Sequence, residues 1–161
     1  MKILKLNKFI IEYDRFKIFI GQEVKNKIYL KVNTDLTASP KVLSWFEQMN
    51  QPAIPDKTIW WQCQTLMMEG FTNIVEHAHR NLPIETPIEI EAVRLDEYIE
   101  IRIWSQGEPF DLEQQLQKIS EFEENEQERG RGLKIMSAIA DKLSYEPTVD
   151  HRYCLFISKY Y

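Results

Sequence analysis

Glu69, Asn73 and His77 stand at i, i+4 and i+8 in the stretch Glu69-Gly-Phe-Thr-Asn73-Ile-Val-Glu-His77. On a helix this spacing draws one polar stripe. A carboxylate one turn before a carboxamide, among apolar neighbours such as Leu66, Phe71, Ile74 and Val75, is costly to bury unless a polar group faces it. Chemically, the carboxylate could take a proton from an attacking hydroxyl, and the carboxamide oxygen could bind a hard divalent cation such as Mg²⁺. A surface helix with an ordinary polar face would have the same spacing. A second feature separates the two readings. Gly130-Arg131-Gly132-Leu133 stands where a polar stretch gives way to an apolar-periodic one. Glycine lets a backbone approach a ligand closely, and a helix N-terminus offers unpaired N–H groups with a positive end of the dipole. The pattern is not the Walker type, because no Gly-Lys-Ser/Thr follows. With Glu69 and Asn73 it suggests one nucleotide site assembled from separated segments.

The elements that must position these residues can be read along the chain. Phe9 to Tyr13, Phe16 to Ile20 and Lys27 to Val32 are rich in Ile, Phe and Tyr and read as strands. Ser39-Pro40 predicts a helix start with Ser39 as cap, running to about Asn50. Asp56 is placed to cap a long central helix from about Lys57 to Arg80, closed by Asn81 and Pro83. Ile88 to Leu95 and Tyr98 to Ser105 read as strands joined at Asp96-Glu97. Ile99, Ile101 and Ile103 alternate there with Tyr98, Glu100, Arg102 and Trp104, the period of a half-covered strand. Leu112 to Ile119 reads as a short helix, Ser120 to Arg131 as a polar loop, and Gly132 to Ala140 as a helix. A hairpin of Lys142 to Tyr145 and Arg152 to Lys159 closes the chain. This order predicts an α+β fold: a two-layer α/β sandwich with an antiparallel or mixed sheet covered on one face by helices.

Composition narrows the function classes. A chain of 161 residues suits a single domain, here residues 1–161, with 1–27 as an N-terminal β extension. Hydrophobic content of 43% and charged content of 28% are those of a globular protein. The net charge of −5, with no run of Lys or Arg, gives no reason to expect direct nucleic-acid binding. No stretch approaches the roughly 18 apolar residues of a membrane span, and no secretory leader is expected at the N-terminus. Cys63 and Cys154 read as buried free thiols, and the expected location is cytoplasmic.

Three motifs stand in order: Glu-x-x-x-Asn-x-x-x-His, a strand running into Gly107-x-Pro109-Phe110-Asp111, and Gly130-Arg-Gly-Leu133. Over roughly residues 28 to 159 they resemble the ATP-binding boxes of the histidine-kinase-like ATPases (the GHKL group), and within these the anti-sigma-factor serine/threonine kinases. The resemblance implies the left-handed βαβ Bergerat fold, with ATP and Mg²⁺ between the long helix, the glycine turns and a mobile lid. It gives Glu69 the role of general base and Asn73 that of Mg²⁺ ligand. Gly107 would carry the turn under adenine, Gly130 and Gly132 would donate backbone N–H groups to phosphate, and Arg131 and Leu133 belong to the same nucleotide-binding turn. His77 is expected to be structural, packing or bonding beneath the helix, and Ser120 to Arg129 is the lid by position. One position departs: the aspartate that accepts from the adenine amino group is Ser105 here. Serine accepts that bond without charge assistance.

The function so implied is a serine/threonine protein kinase that regulates transcription by partner switching. It would hold a sigma factor or similar client, and phosphorylate a serine on an antagonist (anti-anti-sigma) protein. A homodimer is compatible with this reading. Ser105 favours an alternative, a catalytically inactive partner-binding module of the same fold. Chance matches on an unrelated α/β domain would require three coincidences in the right order.

Overall fold

The computed structural model describes residues 10–13, 16–19, 22–121 and 131–161. Strands β1 (Ile10–Tyr13) and β2 (Phe16–Phe19) form an antiparallel hairpin that is a two-stranded sheet of its own. The main sheet contains β3 (Asn26–Asn33), β4 (Pro87–Arg94), β5 (Tyr98–Ser105), β6 (Lys142–Pro147) and β7 (Tyr153–Tyr160), in the order β3-β4-β5-β7-β6. Every pairing is antiparallel, which resolves the expected choice between an antiparallel and a mixed sheet.

Register follows from the alternation in the sequence. Leu30, Ile90, Ile103, Leu155 and Tyr145 form one row across the five strands, and Ile28, Ala92, Ile101, Ile157 and Leu143 form the next. These rows face the helices. The intervening residues, including Glu91, Glu100 and Arg102, face the other way and pair within and across strands. Arg102 contacts Glu91 at 3.2 Å and Glu100 at 2.5 Å, and Lys27 contacts Glu91 at 2.8 Å.

The covering layer consists of α1 (Ser39–Phe46), α2 (Lys57–Asn73), α3 (Leu112–Glu121) and α4 (Arg131–Ile139). Gly70 lets α2 press onto the sheet, since a Cβ there would meet Ile103 Cδ1 at 3.0 Å and Ile157 Cδ1 at 3.1 Å. Phe46 of α1 stacks on Trp60 of α2 with centroids 5.3 Å apart. Phe71, Leu66, Met67, Leu133 and Met136 are fully buried between layers, each stabilising the fold by about 1.5–3 kcal/mol. Cys63 and Cys154 are buried free thiols, and burial pushes both up to about 12.

Helix starts follow local chemistry, with one correction. Asp56 caps α2 as expected, accepting from Thr58 N at 2.8 Å and Ile59 N at 3.3 Å. Ser39, expected as a cap, is instead the first residue of α1, whose N-cap is Ala38 with no side-chain bond. A single 3₁₀ turn, Leu36–Ala38, precedes it, and Asp35 caps that turn by accepting from Thr37 N at 2.9 Å. The backbone is therefore already helical at Ser39, where a capping hydroxyl has no free N–H to serve.

The central helix also changes character at its end. Beyond Asn73 the chain makes a π turn, Ile74–Ala78, and His79 N–H donates to Ile74 O at 2.9 Å, five residues back. Such widened turns within α-helices are frequent at functional sites.

Candidate functional site

α2 and α4 pack side by side, and where the end of α2 meets the start of α4 they leave a cleft of about 730 Å³. Its walls include Glu69, Asn73 and His77 from the central helix and Arg131, Gly132 and Leu133 from α4. Two segments separated by more than 50 residues of sequence thus meet at one opening.

Glu69 is half-buried on α2, and its carboxylate lies against the first turn of α4. A Cβ at Gly132 would overlap Glu69 Oε2 and stand 3.3 Å from Glu69 Cδ. Glycine at this position is what makes room for the carboxylate. The start of a helix carries partial positive charge, which favours an anion there. Leu133 is buried and anchors α4 in the core, while Arg131 is exposed at the mouth.

Asn73 is only 5% exposed, and its Nδ2 finds no hydrogen-bond partner among the described residues. An unpartnered buried amide costs about 1–3 kcal/mol, so this side chain is poorly explained as core packing. Among the described residues no cluster of three or more His, Cys, Asp or Glu could chelate a metal. A Mg²⁺ bound beside Asn73 would take most of its oxygens from phosphates and water, as this ion commonly does, so Asn73 fits the demand as a single protein ligand.

His77 requires a correction. Expected beneath the helix, it is exposed at the cleft wall, with its ring 6.4 Å from that of Phe110. The π turn is the cause. It rotates less per residue than an α-helix, cancels the drift of the i, i+4 spacing, and keeps His77 in line with Glu69 and Asn73. The buried histidine is His79, 1% exposed, which sequence reasoning did not single out. Its Nδ1 lies 2.7 Å from Thr34 Oγ1, and its Nε2 accepts from Gln106 N at 2.9 Å. Burial holds its pKa below the usual histidine range.

Ser105 and Gly107 lie beyond the cleft wall rather than in it. Gly107 crosses the end of the π turn, where a Cβ would overlap Ala78 O and stand 2.6 Å from its carbonyl carbon. Ser105, at the end of β5, is 0% exposed, and its Oγ lies 2.8 Å from the Tyr145 hydroxyl. The Tyr145 ring stacks between Phe110, at 4.2 Å, and Tyr153, at 5.3 Å. Burial pushes the Tyr145 hydroxyl up to about 12, so it stays neutral and can both donate and accept. Tyr145 was the other residue missed: only the β6–β7–β5 pairing brings it to Ser105. Gly130 and residues 122 to 129, expected as part of the phosphate turn and the lid, lie outside the described residues.

A family model for the histidine kinase-like ATPase domain matches residues 32–159. The chain belongs to that family. It is a histidine kinase-like ATPase domain, its five-stranded antiparallel sheet covered by helices agrees with that fold, and ATP binding follows from membership. Among solved structures, a chain of the SiaB–SiaC complex from Pseudomonas aeruginosa shares the fold with a TM-score of 0.57 and 11% identity, over 86% of this ATPase domain and 91% of that chain. No curated protein sequence matches it. No helix among the described residues is long and apolar enough to cross a membrane.

Proposed function

We infer that this ATPase domain is a serine/threonine protein kinase of the anti-sigma-factor type. It binds Mg²⁺–ATP and transfers phosphate to a serine on an antagonist protein, and it holds a sigma factor or similar client in the alternate state. The observation that carries the reading is the meeting of Glu69, seated against Gly132, with Asn73 in one cleft. Bound Mg²⁺–ATP supplies the transferable phosphoryl group. Glu69 would accept the proton of the attacking hydroxyl, and Asn73 would hold the metal through its carbonyl oxygen. Arg131 and the backbone of Gly130 and Gly132 would receive the phosphates, while Ser105 and Gly107 would serve the base. Partner switching draws support from the shared fold with a chain of a two-protein complex.

Glu69→Gln tests the transfer step. The amide keeps the shape of the carboxylate but accepts no proton, so nucleotide binding persists while phosphotransfer falls by about 10²–10⁴-fold. Unchanged phosphotransfer to the antagonist contradicts the role. One observation favours a second reading, a partner-binding module without catalysis: the hydroxyl of Ser105 is engaged by Tyr145 where a carboxylate would serve adenine. Wild-type protein that binds ATP and the antagonist but transfers nothing decides for that module.

A further inference from the structure

We propose that His79, as the neutral Nδ1–H tautomer, is a positioning residue for the turn after β5, tying the Gln106–Gly107 backbone to Thr34 just beyond β3 and to the end of the central helix. The proposal rests on the nucleotide reading above only in what the turn serves.

Proton counting fixes the tautomer. Thr34 Oγ1 donates its single proton to Thr86 O at 2.7 Å. Toward His79 Nδ1, also at 2.7 Å, that hydroxyl can therefore only accept, so Nδ1 carries the hydrogen. Nε2 is then a bare lone pair, which is what the Gln106 N–H at 2.9 Å requires. Both ring nitrogens are satisfied in one protonation state and in no other. A proton on Nε2 would set two N–H groups against each other inside the protein.

The ring is held as firmly as it holds. Its own backbone N–H donates to Ile74 O, and its carbonyl accepts from Leu82 N, each at 2.9 Å. The groups facing it are Thr34 just after β3, Thr86 at the entrance to β4, the Ala78 carbonyl side of the π turn, and Gln106 with Gly107 after β5. Burial is what lowers its proton affinity, with no charged neighbour contributing. Gly107 passes so close to Ala78 O and the imidazole that the turn has no room to settle elsewhere while the Nε2 bond holds. His79 thereby joins the turn between Ser105 and Phe110 to the same π turn that presents His77 to the cleft.

Two measurements on the intact protein test this. Long-range ¹⁵N–¹H spectra of the histidine rings should show His79 as the Nδ1–H tautomer, titrating below the ordinary value of about 6.5. The Gln106 and Gly107 amide shifts should follow that titration. Binding of Mg²⁺–ADP should weaken in acid, with the dissociation constant rising toward tenfold per pH unit below the His79 pKa, because only the neutral form is competent. His79→Gln offers an acceptor to Gln106 N–H and does not titrate, so its profile should lack this component. The nucleotide's own protonation is common to both proteins and cancels in the comparison. An Nε2–H tautomer, amides at 106 and 107 that ignore the His79 titration, or the same acid loss in His79→Gln overturns the proposal. If His79→Gln does not fold, the wild-type tautomer and amide titration decide alone. Folded wild-type protein that binds no ADP at any pH contradicts the nucleotide reading and leaves those same spectra to judge the tie.

Discussion

The Glu69 carboxylate occupies the space that a side chain at Gly132 would fill. A residue read in the sequence as freedom for a ligand to approach is, in the fold, also freedom for the proposed base to sit at the head of α4. The two motifs that carry the functional reading are thus one packing unit.

Gly132→Ala separates the two roles of that unit. The group displaced is the far end of a flexible side chain, so Glu69 can rotate away, and alanine favours the helix by up to about 1 kcal/mol. We expect unfolding stability within about 1 kcal/mol of wild type, with phosphotransfer reduced far more than ATP affinity. Urea denaturation together with a single-turnover transfer assay checks this. A variant as active as wild type contradicts the placing of Glu69 as base.

Gly107→Ala should behave oppositely. Here the obstacle is a backbone carbonyl, Ala78 O, which cannot swing aside. Overpacking of this kind costs about 1–3 kcal/mol, and the variant should lie at the upper end of that range or unfold. A denaturation midpoint equal to wild type would show that the turn is looser than the geometry requires.

Much of the fold was legible because it rests on local pattern. The alternation of Ile99, Ile101 and Ile103, the Asp96-Glu97 connection and the Asp56 cap each specify an element without reference to distant residues. Glu69, Asn73 and Gly132 were legible for a similar reason, since type and spacing name them. The rest depends on contacts across the chain. His79 meets Thr34 across 45 residues, and Tyr145 meets Ser105 across 40, contacts of the assembled fold that no local signal encodes. The π turn was hidden because Ile-Val-Glu-His-Ala satisfies an α-helical pattern equally well; the spacing already set His77 on the Glu69–Asn73 stripe, and its placement beneath the helix came with the resemblance alone. Ser39 failed as a cap because Asp35 starts the helical backbone one turn earlier.

Ser105→Asp addresses the departure at the base-binding end. A carboxylate at 105 can accept from Tyr145, which stands 2.8 Å from the present hydroxyl, and from an adenine amino group with charge assistance. A hydrogen bond to a charged group is worth about 1.5–3 kcal/mol against 0.5–1.5 for a neutral one. ATP should therefore bind more tightly by about 1 kcal/mol, or several-fold. Discrimination against GTP should sharpen, since a carboxylate repels the guanine carbonyl while the wild-type hydroxyls can donate to it. Parallel titrations with both nucleotides read this out. Weaker ATP binding in a correctly folded variant would show that the base is not recognised at residue 105.

The central claim is that the α2–α4 cleft binds Mg²⁺–ATP through Asn73. Calorimetric titration of ATP, with and without Mg²⁺, into wild-type protein and Asn73→Ala tests it most directly. Because the Asn73 Nδ2 has no partner among the described residues to lose, the variant should keep its stability within about 1 kcal/mol. Wild type should bind ATP saturably and more tightly with Mg²⁺, while Asn73→Ala retains metal-free affinity and gains nothing from the ion. Folded wild-type protein that binds no ATP, or a variant with the full Mg²⁺ enhancement, would contradict the account.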